Sequence, residues 1–394
     1  MTSYSIYLHI PFCKHRCAYC DFNTYAGQED SIPLYVNALI QEIDCVVRAA
    51  AQQHVETNVH TVFFGGGTPS LLSGPQFARI MDALHAAFTF TADAEVSIEA
   101  NPGTVAPEKL NVIRKAGINR ISFGVQSANT EELHMLEREH SFFDVIEAVA
   151  YARKAGFDNL NLDLIYGLPE QSLQTWQTTL QRIVDLHPEH ISAYALTLEH
   201  GTPFGRWSSK GLLPLPDPDL AAEMYEYAEE FLVNQGYIQY EISNWAKASR
   251  ACRHNLQYWR GLPYLAIGAG AHGYANGYRY SNVLRIKTYI DRLANLDSRL
   301  AFPLTPATVN QHKQSQRDDM SEYMMTNLRL TNAGVAESDF RLRFGSDLLN
   351  IYPKEIEELI RADLLEKKTS EISEVFRLTK RGRLLGNQVF MRFI

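Results

Sequence analysis

The stretch IYLHIPFCKHRCAYCDF, residues 6–22, joins a short apolar run to a loop that holds three cysteines. The β-branched and aromatic residues at 6–10 predict a strand. Cys13, Cys17 and Cys20 follow this strand directly. In parallel α/β folds the loops that follow the strands carry the active site. These thiols are therefore the first candidates for a metal centre.

Five more runs of the same kind recur along the first half of the chain. They lie at 61–64, 95–100, 120–125, 159–165 and 190–196. Segments with apolar residues three and four positions apart separate them, which predicts helices. Alternating strands and helices indicate βα units and a parallel sheet. The prediction is an α/β fold built on a partial, open (β/α)6 barrel.

The alternation of strand and helix patterns does not continue through the rest of the chain. Residues 1–235 are predicted to form the βα core, and the proline-rich 211–220 leads into its last helix. An aromatic-rich connecting segment, 236–304, fits neither the helix nor the strand period. Residues 305–394 read as a smaller, mainly helical domain that resembles a winged helix. Residues 310–394 hold 14 basic and 13 acidic side chains, so the basic stripe of a DNA-binding domain is absent from the sequence, and we expect no nucleic-acid partner.

The composition of the chain indicates the cellular compartment in which we expect the protein. The 394 residues carry a net charge of −8, and the sequence has neither a signal-peptide pattern nor an apolar run of transmembrane length. Five cysteines, an odd number with three clustered, fit a reducing compartment better than a disulfide framework. We expect a cytoplasmic protein.

The cysteine pattern alone is compatible with two kinds of metal centre. One is a structural zinc site with His9 or His15 as the fourth ligand. The other is an iron–sulfur cluster with one iron left open, where a substrate or cofactor can bind and receive an electron.

Polar residues stand at the ends of the next strands. FFGGGTPS, residues 63–70, brings a glycine-rich turn, whose backbone can approach a ligand closely. Glu99, Gln126 and Asp163 end or lie on the third, fourth and fifth strands. Together they suit a ligand with ribose hydroxyls and an amino-acid head. Arg138 offers a cation for a carboxylate.

The motifs YLHIPFCKHRCAYCDF, FFGGGTPS, SIEANPG, ISFGVQS, LEREH and DLIYGLP together resemble the radical S-adenosylmethionine (radical SAM) superfamily. The resemblance covers essentially the whole chain. It is closest to the branch that holds the oxygen-independent coproporphyrinogen III oxidases and the related HemW family of heme chaperones. It implies a [4Fe–4S] cluster whose open iron is chelated by the methionine end of S-adenosylmethionine. In this superfamily one-electron reduction then cleaves the sulfonium and gives a 5′-deoxyadenosyl radical.

The resemblance also implies a role for each motif residue. The implied positions are Cys13, Cys17 and Cys20 for the cluster, Tyr7 and Tyr19 beside it, Gly66, Gly67, Thr68 and Arg138 for the methionine end, Glu99, Gln126 and Asp163 for the sugar, and Ala195 for the adenine. His272 in IGAGAHG, residues 267–273, also matches the pattern.

Two features separate the chaperone from the oxidase. The oxidases of the branch place a fourth cysteine two residues after the third, where this chain has Phe22, and they carry an N-terminal extension before the first strand. RHNLQYW, residues 253–259, matches the HNxxYW motif of the chaperones, in which the histidine is tied to heme binding. A neutral imidazole is a good axial ligand for heme iron. His254 is the implied heme ligand, although a histidine hydrogen-bonded inside an aromatic loop is the plain structural alternative. Cys252 is a rival soft ligand or a buried structural thiol, and Cys45 is expected in the core.

The interpretation is therefore a heme chaperone that carries a [4Fe–4S] cluster and an S-adenosylmethionine site. The alternative function is the radical oxidative decarboxylation of coproporphyrinogen III, which the residue at position 22 argues against. The implied partners are heme, heme-acceptor proteins that include membrane-bound ones, and an electron donor.

Overall fold

The computed structural model describes residues 3–294, 301–369 and 373–394. The chain divides into two compact units, residues 1–231 with 263–312 and residues 232–262 with 313–394. These boundaries differ from the expected ones at 235/236 and 304/305. The expected connecting segment is shared between the units, because its second half pairs with the first strand and so belongs to the large sheet.

The strands span a wide range of lengths. In chain order they are β1 Ser3–Ile10, β2 Phe12–Cys13, β3 Tyr25–Ala26, β4 Asn58–Gly66, β5 Thr89–Ala100, β6 Arg120–Gln126, β7 Leu160–Tyr166, β8 His190–Ala195, β9 Ile238–Glu241, β10 Asn244–Ala246, β11 Tyr264–Ile267, β12 His272–Ala275, β13 Tyr278–Asn282, β14 Thr308–Lys313, β15 Val335–Ala336, β16 Leu365–Thr369 and β17 Glu374–Leu378.

Helices alternate with the first long strands. In chain order they are α1 Ile32–Gln52, α2 Gly74–Ala87, α3 Pro107–Lys115, α4 Thr130–Met135, α5 Phe142–Lys154, α6 Leu173–Val184, α7 Pro203–Ser209, α8 Pro218–Asn234, α9 Arg253–Trp259, α10 Ile286–Leu293, α11 Gln316–Asn327, α12 Glu337–Phe344, α13 Leu348–Ile351, α14 Pro353–Arg361, α15 Lys380–Leu384 and α16 Gly386–Phe390.

The first unit is built on one large sheet. Its strands follow the order β14-β13-β12-β11-β1-β4-β5-β6-β7-β8. All neighbours from β1 to β8 are parallel. Because each of these strands is followed by at least one helix, the predicted (β/α)6 organisation is confirmed. Strand β11 is also parallel to β1, whereas β12 and β13 continue as an antiparallel hairpin.

Local sequence explains where these elements begin and end. Strands β6 and β7 are buried almost throughout, as expected for central strands of a covered parallel sheet, and in β7 only Asp163 is partly exposed. Ser73 and Ser141 form capping boxes that start α2 and α5. Gly117, with φ of +101°, and Gly156, with φ of +87°, follow α3 and α5 in the left-handed conformation that favours glycine after a helix.

The second unit contains the hairpin β9–β10, helix α9 and the C-terminal region. There β17 lies between β15 and β16 in a three-stranded antiparallel sheet, and α11 to α14 precede the β16–β17 hairpin. Phe340, Tyr352 and Phe376 are fully buried in its core. The prediction of a mainly helical C-terminal region is confirmed. The sequence also predicts a short polar turn between a helix and a strand in this region, and that turn falls partly on residues 370–372, outside the described residues.

Candidate functional site

The three clustered cysteines lie on the segment that follows β1. Cys13 is buried in the short strand β2, and Cys17 and Cys20 are partly exposed on the loop before β3. A hydrogen-bond donor or hydroxyl approaches each sulfur. Thr68 Oγ1 lies 3.6 Å from Cys13 Sγ, Arg138 Nη1 lies 3.6 Å from Cys17 Sγ, and Thr24 Oγ1 lies 3.9 Å from Cys20 Sγ. Such donors stabilise thiolate over thiol.

Burial raises the pKa of Cys13 and of Cys20. Both sulfurs therefore keep their protons at neutral pH until an electrophile such as iron displaces them. A site of this kind takes up metal with release of protons.

A cavity of about 520 Å³ opens beside the cysteines at the carboxyl ends of the parallel strands. Its volume falls in the usual range for small-molecule sites. The sequence-predicted residues that line it are Cys13, Cys17, Tyr19, Cys20, Gly66, Gly67, Thr68, Glu99, Gln126, Arg138, Asp163 and Ala195. Residues more than 180 positions apart in the chain thus meet at one place, because consecutive strand ends share one edge of the sheet.

The glycine-rich turn after β4 packs directly on the cysteine segment. Gly67 N donates to the Ile10 carbonyl at 2.9 Å, and Thr68 N donates to the Phe12 carbonyl at 2.7 Å. A Cβ atom at Gly67 would lie 2.6 Å from the Phe12 carbonyl oxygen and 3.1 Å from Cys13 Sγ. Only glycine permits this approach, so the turn forms a cradle in which any larger side chain would displace the cysteine segment.

Two carboxylates reach the cavity from β5 and β7, the strands on either side of β6. Glu99 Oε2 accepts a hydrogen bond of 2.9 Å from Gly66 N, and burial together with the nearby Asp163 raises the pKa of Glu99 to about 7. Asp163 is held at both oxygens, by Ser122 Oγ at 2.6 Å and by Asn161 Nδ2 at 2.7 Å. At neutral pH this pair offers both a donor and several acceptors to a polar ligand.

Arg138 supplies the positive charge of the cavity. Its Nη2 donates to the Gly124 carbonyl at 2.7 Å, and its Nη1 points at Cys17 Sγ. Its buried Nε finds no hydrogen-bond partner among the described residues. A fixed guanidinium with an unused N–H group suits a carboxylate that enters the cavity.

The remaining predicted residues divide into two groups. Gln126, at the end of β6, has a φ of +69°, which turns the chain into the cavity, and Tyr19 packs its ring on Phe204 at 6.5 Å. Tyr7 and His254, in contrast, are not among the cavity-lining residues. Tyr7 lies behind the glycine turn, where its hydroxyl group bonds to His9 Nδ1 at 2.9 Å.

The histidines considered as a fourth zinc ligand have other partners. His9 Nε2 lies 2.9 Å from the Asn23 carbonyl oxygen, and His15 Nε2 pairs with Glu137 Oε2 at 3.0 Å. In the described ranges no three His, Cys, Asp or Glu side chains are grouped closely enough to hold one metal ion. The donor set is three cysteine sulfurs with polar support and an adjoining cavity. This set fits a cluster whose fourth iron stays open to a ligand.

His254 lies in the second unit, on α9. Its side chain is 2% exposed, and its Nε2 lies 2.8 Å from the hydroxyl oxygen of Tyr258. The two rings meet edge to face at 5.0 Å, and Cys252 is the buried N-cap residue of the same helix. Trp259, at the end of α9, carries the guanidinium of Arg329 on its ring at 4.3 Å. The HNxxYW motif is therefore one short helix that holds a buried imidazole against the ring of Tyr258.

Sequence reasoning missed the residues that support Asp163 from inside the sheet. Ser122 and Asn161 are paired in register on β6 and β7, and Asn161 Oδ1 in turn accepts from His190 Nδ1 at 2.6 Å. The available signal was a set of polar residues on otherwise apolar buried strands, at positions that share a face with Asp163.

No helix among residues 3–294, 301–369 and 373–394 is long and apolar enough to cross a bilayer.

Two family models match this chain, one in its N-terminal half and one near its C-terminus. The model of the radical SAM superfamily matches residues 7–183, and that of the HemN C-terminal domain matches residues 314–385.

Proteins named heme chaperone HemW are similar over the full length. The one from Bacillus subtilis is 38% identical and that from Escherichia coli is 36% identical. Each alignment covers 99% of this chain, and 99% and 98% of the respective relative. Among solved structures, the radical SAM enzyme coproporphyrinogen III oxidase (HemN) from Escherichia coli superposes with a TM-score of 0.82 at 25% identity, covering 100% of this chain and 90% of that one.

Proposed function

The chain belongs to the radical SAM superfamily and, within it, to the family of the heme chaperone HemW, and on this basis we propose that it binds heme and transfers it to acceptor proteins. It carries a [4Fe–4S] cluster and an S-adenosylmethionine site. The observation that carries the proposal is full-length identity of 36–38% to proteins named heme chaperones. The match to the solved oxidase is lower, at 25%.

We assign the cavity of the first unit to the cluster and the nucleotide. Cys13, Cys17 and Cys20 would hold three irons, and the bound cluster would supply one-electron chemistry to a ligand on the fourth. The Gly66–Gly67 turn and Arg138 would receive the amino-acid end of S-adenosylmethionine. The support is the close approach that only glycine allows and the unused N–H group of the buried guanidinium.

The other polar residues that line the cavity suit the nucleoside end. Glu99, Gln126 and Asp163 would meet the ribose, since hydroxyl groups both donate to and accept from carboxyl and amide groups. Ala195, the last residue of β8, is exposed and lines the cavity, so its small side chain leaves room for a planar base.

We place the heme at His254, outside the cysteine cavity. The support is the buried ring, its hydrogen bond to Tyr258, and the presence on the same helix of two aromatic side chains, Tyr258 and Trp259, that are able to cover a porphyrin face. To coordinate iron, His254 Nε2 has to exchange the Tyr258 hydroxyl group for the metal.

The alternative function is decarboxylation of coproporphyrinogen III. The structural similarity to the oxidase is the observation that favours it. Position 22, where the oxidases carry a further cysteine, is a phenylalanine with 64% of its surface exposed. An exposed aromatic side chain next to the cluster loop cannot replace the chemistry of a thiol. We therefore propose that this chain does not catalyse that reaction.

The partners and the compartment follow from the same proposal. The acceptors would include membrane-bound heme proteins, and an electron donor would reduce the cluster. We propose the cytoplasm as the compartment, since five free cysteines fit a reducing environment.

One experiment separates the chaperone from the oxidase. Anaerobically reconstituted protein is titrated with heme and, separately, incubated with coproporphyrinogen III, S-adenosylmethionine and a reductant. The proposal predicts a Soret band that saturates at a fixed heme-to-protein ratio and no loss of substrate carboxyl groups. Turnover of coproporphyrinogen III without heme binding would establish the oxidase instead.

A further inference from the structure

The segment IGAGAHG, residues 267–273, matches the radical SAM pattern but does not line the cysteine cavity. It follows β11 in the first unit and lies outside both matched family models, which end at 183 and begin at 314. In the structure this loop contacts the cysteine segment, and the contact is made by Asn23, three residues after Cys20.

The side chain of Asn23 bonds to two separate parts of the segment 263–312. Its Nδ2 donates to the Ala269 carbonyl at 3.1 Å and to the Leu284 carbonyl at 3.0 Å. Its Oδ1 lies 3.1 Å from the Tyr25 hydroxyl oxygen. Both amide hydrogens and the amide oxygen are therefore used, which fixes the orientation of the side chain.

The backbone of Asn23 is held from the other side by His9. A carbonyl can only accept, so His9 Nε2 carries the proton of its 2.9 Å bond to the Asn23 oxygen, and His9 Nδ1 accepts from the Tyr7 hydroxyl group. Burial lowers the pKa of His9, which favours the neutral ring that this arrangement requires. The cysteine segment is thus tied to β1 as well as to the loop after β11.

Two glycines of the loop make these contacts sterically feasible. A Cβ atom at Gly270 would overlap the side-chain amide of Asn23, and one at Gly268 would lie 2.5 Å from the His9 carbonyl oxygen. Both residues have positive φ angles, +80° and +111°. Gly270 therefore packs against Asn23 of the cysteine segment, and Gly268 packs against His9, which bonds to Asn23.

We propose that Asn23 is a positioning residue of the cysteine loop, and that residues 267–273 form a clamp that holds this loop ready for its cluster. The inference rests on the proposed cluster site. Thr24, next to Asn23, places its hydroxyl group 3.9 Å from Cys20 Sγ, so fixing residue 23 also fixes the third thiol. A loop that is ordered before the cluster binds loses less conformational entropy on binding.

Two substitutions on opposite sides of the contact test the clamp, with one matched control. Asn23→Ala removes the hydrogen bonds, and Gly270→Ala pushes the Asn23 amide away. Gly277→Ala introduces the same left-handed strain, at φ of +75° in the same segment, but a Cβ there meets nothing within 4 Å. Asn23→Asp, which keeps the shape but lacks the N–H donors, serves if Asn23→Ala does not fold.

The first measurement is amide hydrogen exchange of residues 13–24 in the cluster-free protein. We expect about tenfold faster exchange in Asn23→Ala and Gly270→Ala, since each loses hydrogen bonds that restrain the loop, and wild-type exchange in Gly277→Ala. The second is the rate at which a chelator removes iron from the reconstituted proteins, which should rise in the same two variants only.

If Asn23→Ala and Gly270→Ala exchange their amides and lose iron at the wild-type rates, the clamp proposal is wrong. Equal acceleration in Gly277→Ala would also contradict it, because strain alone would then account for the effect. A wild-type protein that binds no cluster at all would instead contradict the proposed function, and the exchange data on the cluster-free protein keep these two failures apart.

Discussion

Nη1 of Arg138 lies 3.6 Å from the sulfur of Cys17, although 121 positions separate the two residues in the chain. The same guanidinium donates to the carbonyl of Gly124 near the end of β6. One cation therefore connects the cysteine loop to the part of the cavity assigned to the nucleotide. Changes at Arg138 should affect nucleotide binding more than folding.

Arg138→Ala is expected to weaken S-adenosylmethionine binding to the reconstituted protein by about 1.5–3 kcal/mol, the usual range for a hydrogen bond to a charged group. Calorimetry on the cluster-loaded protein measures it. Arg48→Ala is the matched control, because Arg48 is exposed and, among the described residues, pairs with groups of its own helix, including Asp44. Equal affinity in wild type and Arg138→Ala would remove Arg138 from the nucleotide site.

Cys17→Ala should abolish anaerobic reconstitution of the [4Fe–4S] cluster, since two thiolates do not hold the cube firmly. Iron and sulfide analysis with the visible spectrum detects the loss. Cys45→Ala and Cys252→Ala should retain the wild-type iron content, because both residues are absent from the cavity lining. Stoichiometric zinc in anaerobically purified wild-type protein would contradict the cluster assignment.

Glu99 should make the stability of the cluster-free protein depend on pH. Burial raises its pKa from 4.5 to about 7, so the folded protein keeps this proton over a range in which the unfolded chain has lost it. The stabilising contribution of Glu99 is therefore full below pH 4.5 and is lost as the pH rises to about 7. Glu99→Gln, which stays neutral, should lack this decrease.

Denaturant unfolding of wild type and Glu99→Gln between pH 5 and pH 8 provides the measurement. The difference between their free energies of unfolding should change across this window and stay constant above it. Parallel curves would show that Glu99 is ionised throughout, and would place its pKa at an ordinary value.

Asn161→Ala should weaken nucleotide binding even though Asn161 does not line the cavity. Its amide holds one oxygen of Asp163 at 2.7 Å, so its loss lets that carboxylate rotate. A double-mutant cycle with Asp163→Ala checks this by calorimetry. If the two effects on affinity simply add, Asn161 supports the fold and not Asp163.

Much of this arrangement was predictable from the sequence. The alternation of strands and helices predicted the (β/α)6 order, because each period reflects a local pattern. Motifs at the strand ends predicted which residues share the cavity, since consecutive parallel strands end at one edge. Glu99 and Asp163 were found in this way.

Other features depend on long-range pairing that no local pattern encodes. Residues 263–267 read as part of an irregular aromatic segment, yet β11 pairs with β1 across more than 250 positions and carries the glycine loop to Asn23. The hydrogen bond between the Tyr7 hydroxyl group and His9 Nδ1 is another contact that no local pattern predicts. The direction of one side chain in a strand next to a loop depends on such contacts.

Heme titration of wild type, His254→Ala and the Cys13/Cys17/Cys20→Ala triple variant tests the central claim most directly. Cys252→Ala, two residues from His254, controls for the rival ligand. We expect wild type and the triple variant to show the same Soret band, and His254→Ala to lose about tenfold or more in heme affinity or to shift the band. Unchanged heme binding in His254→Ala, with loss in the triple cysteine variant, would contradict the account and place the heme in the cysteine cavity.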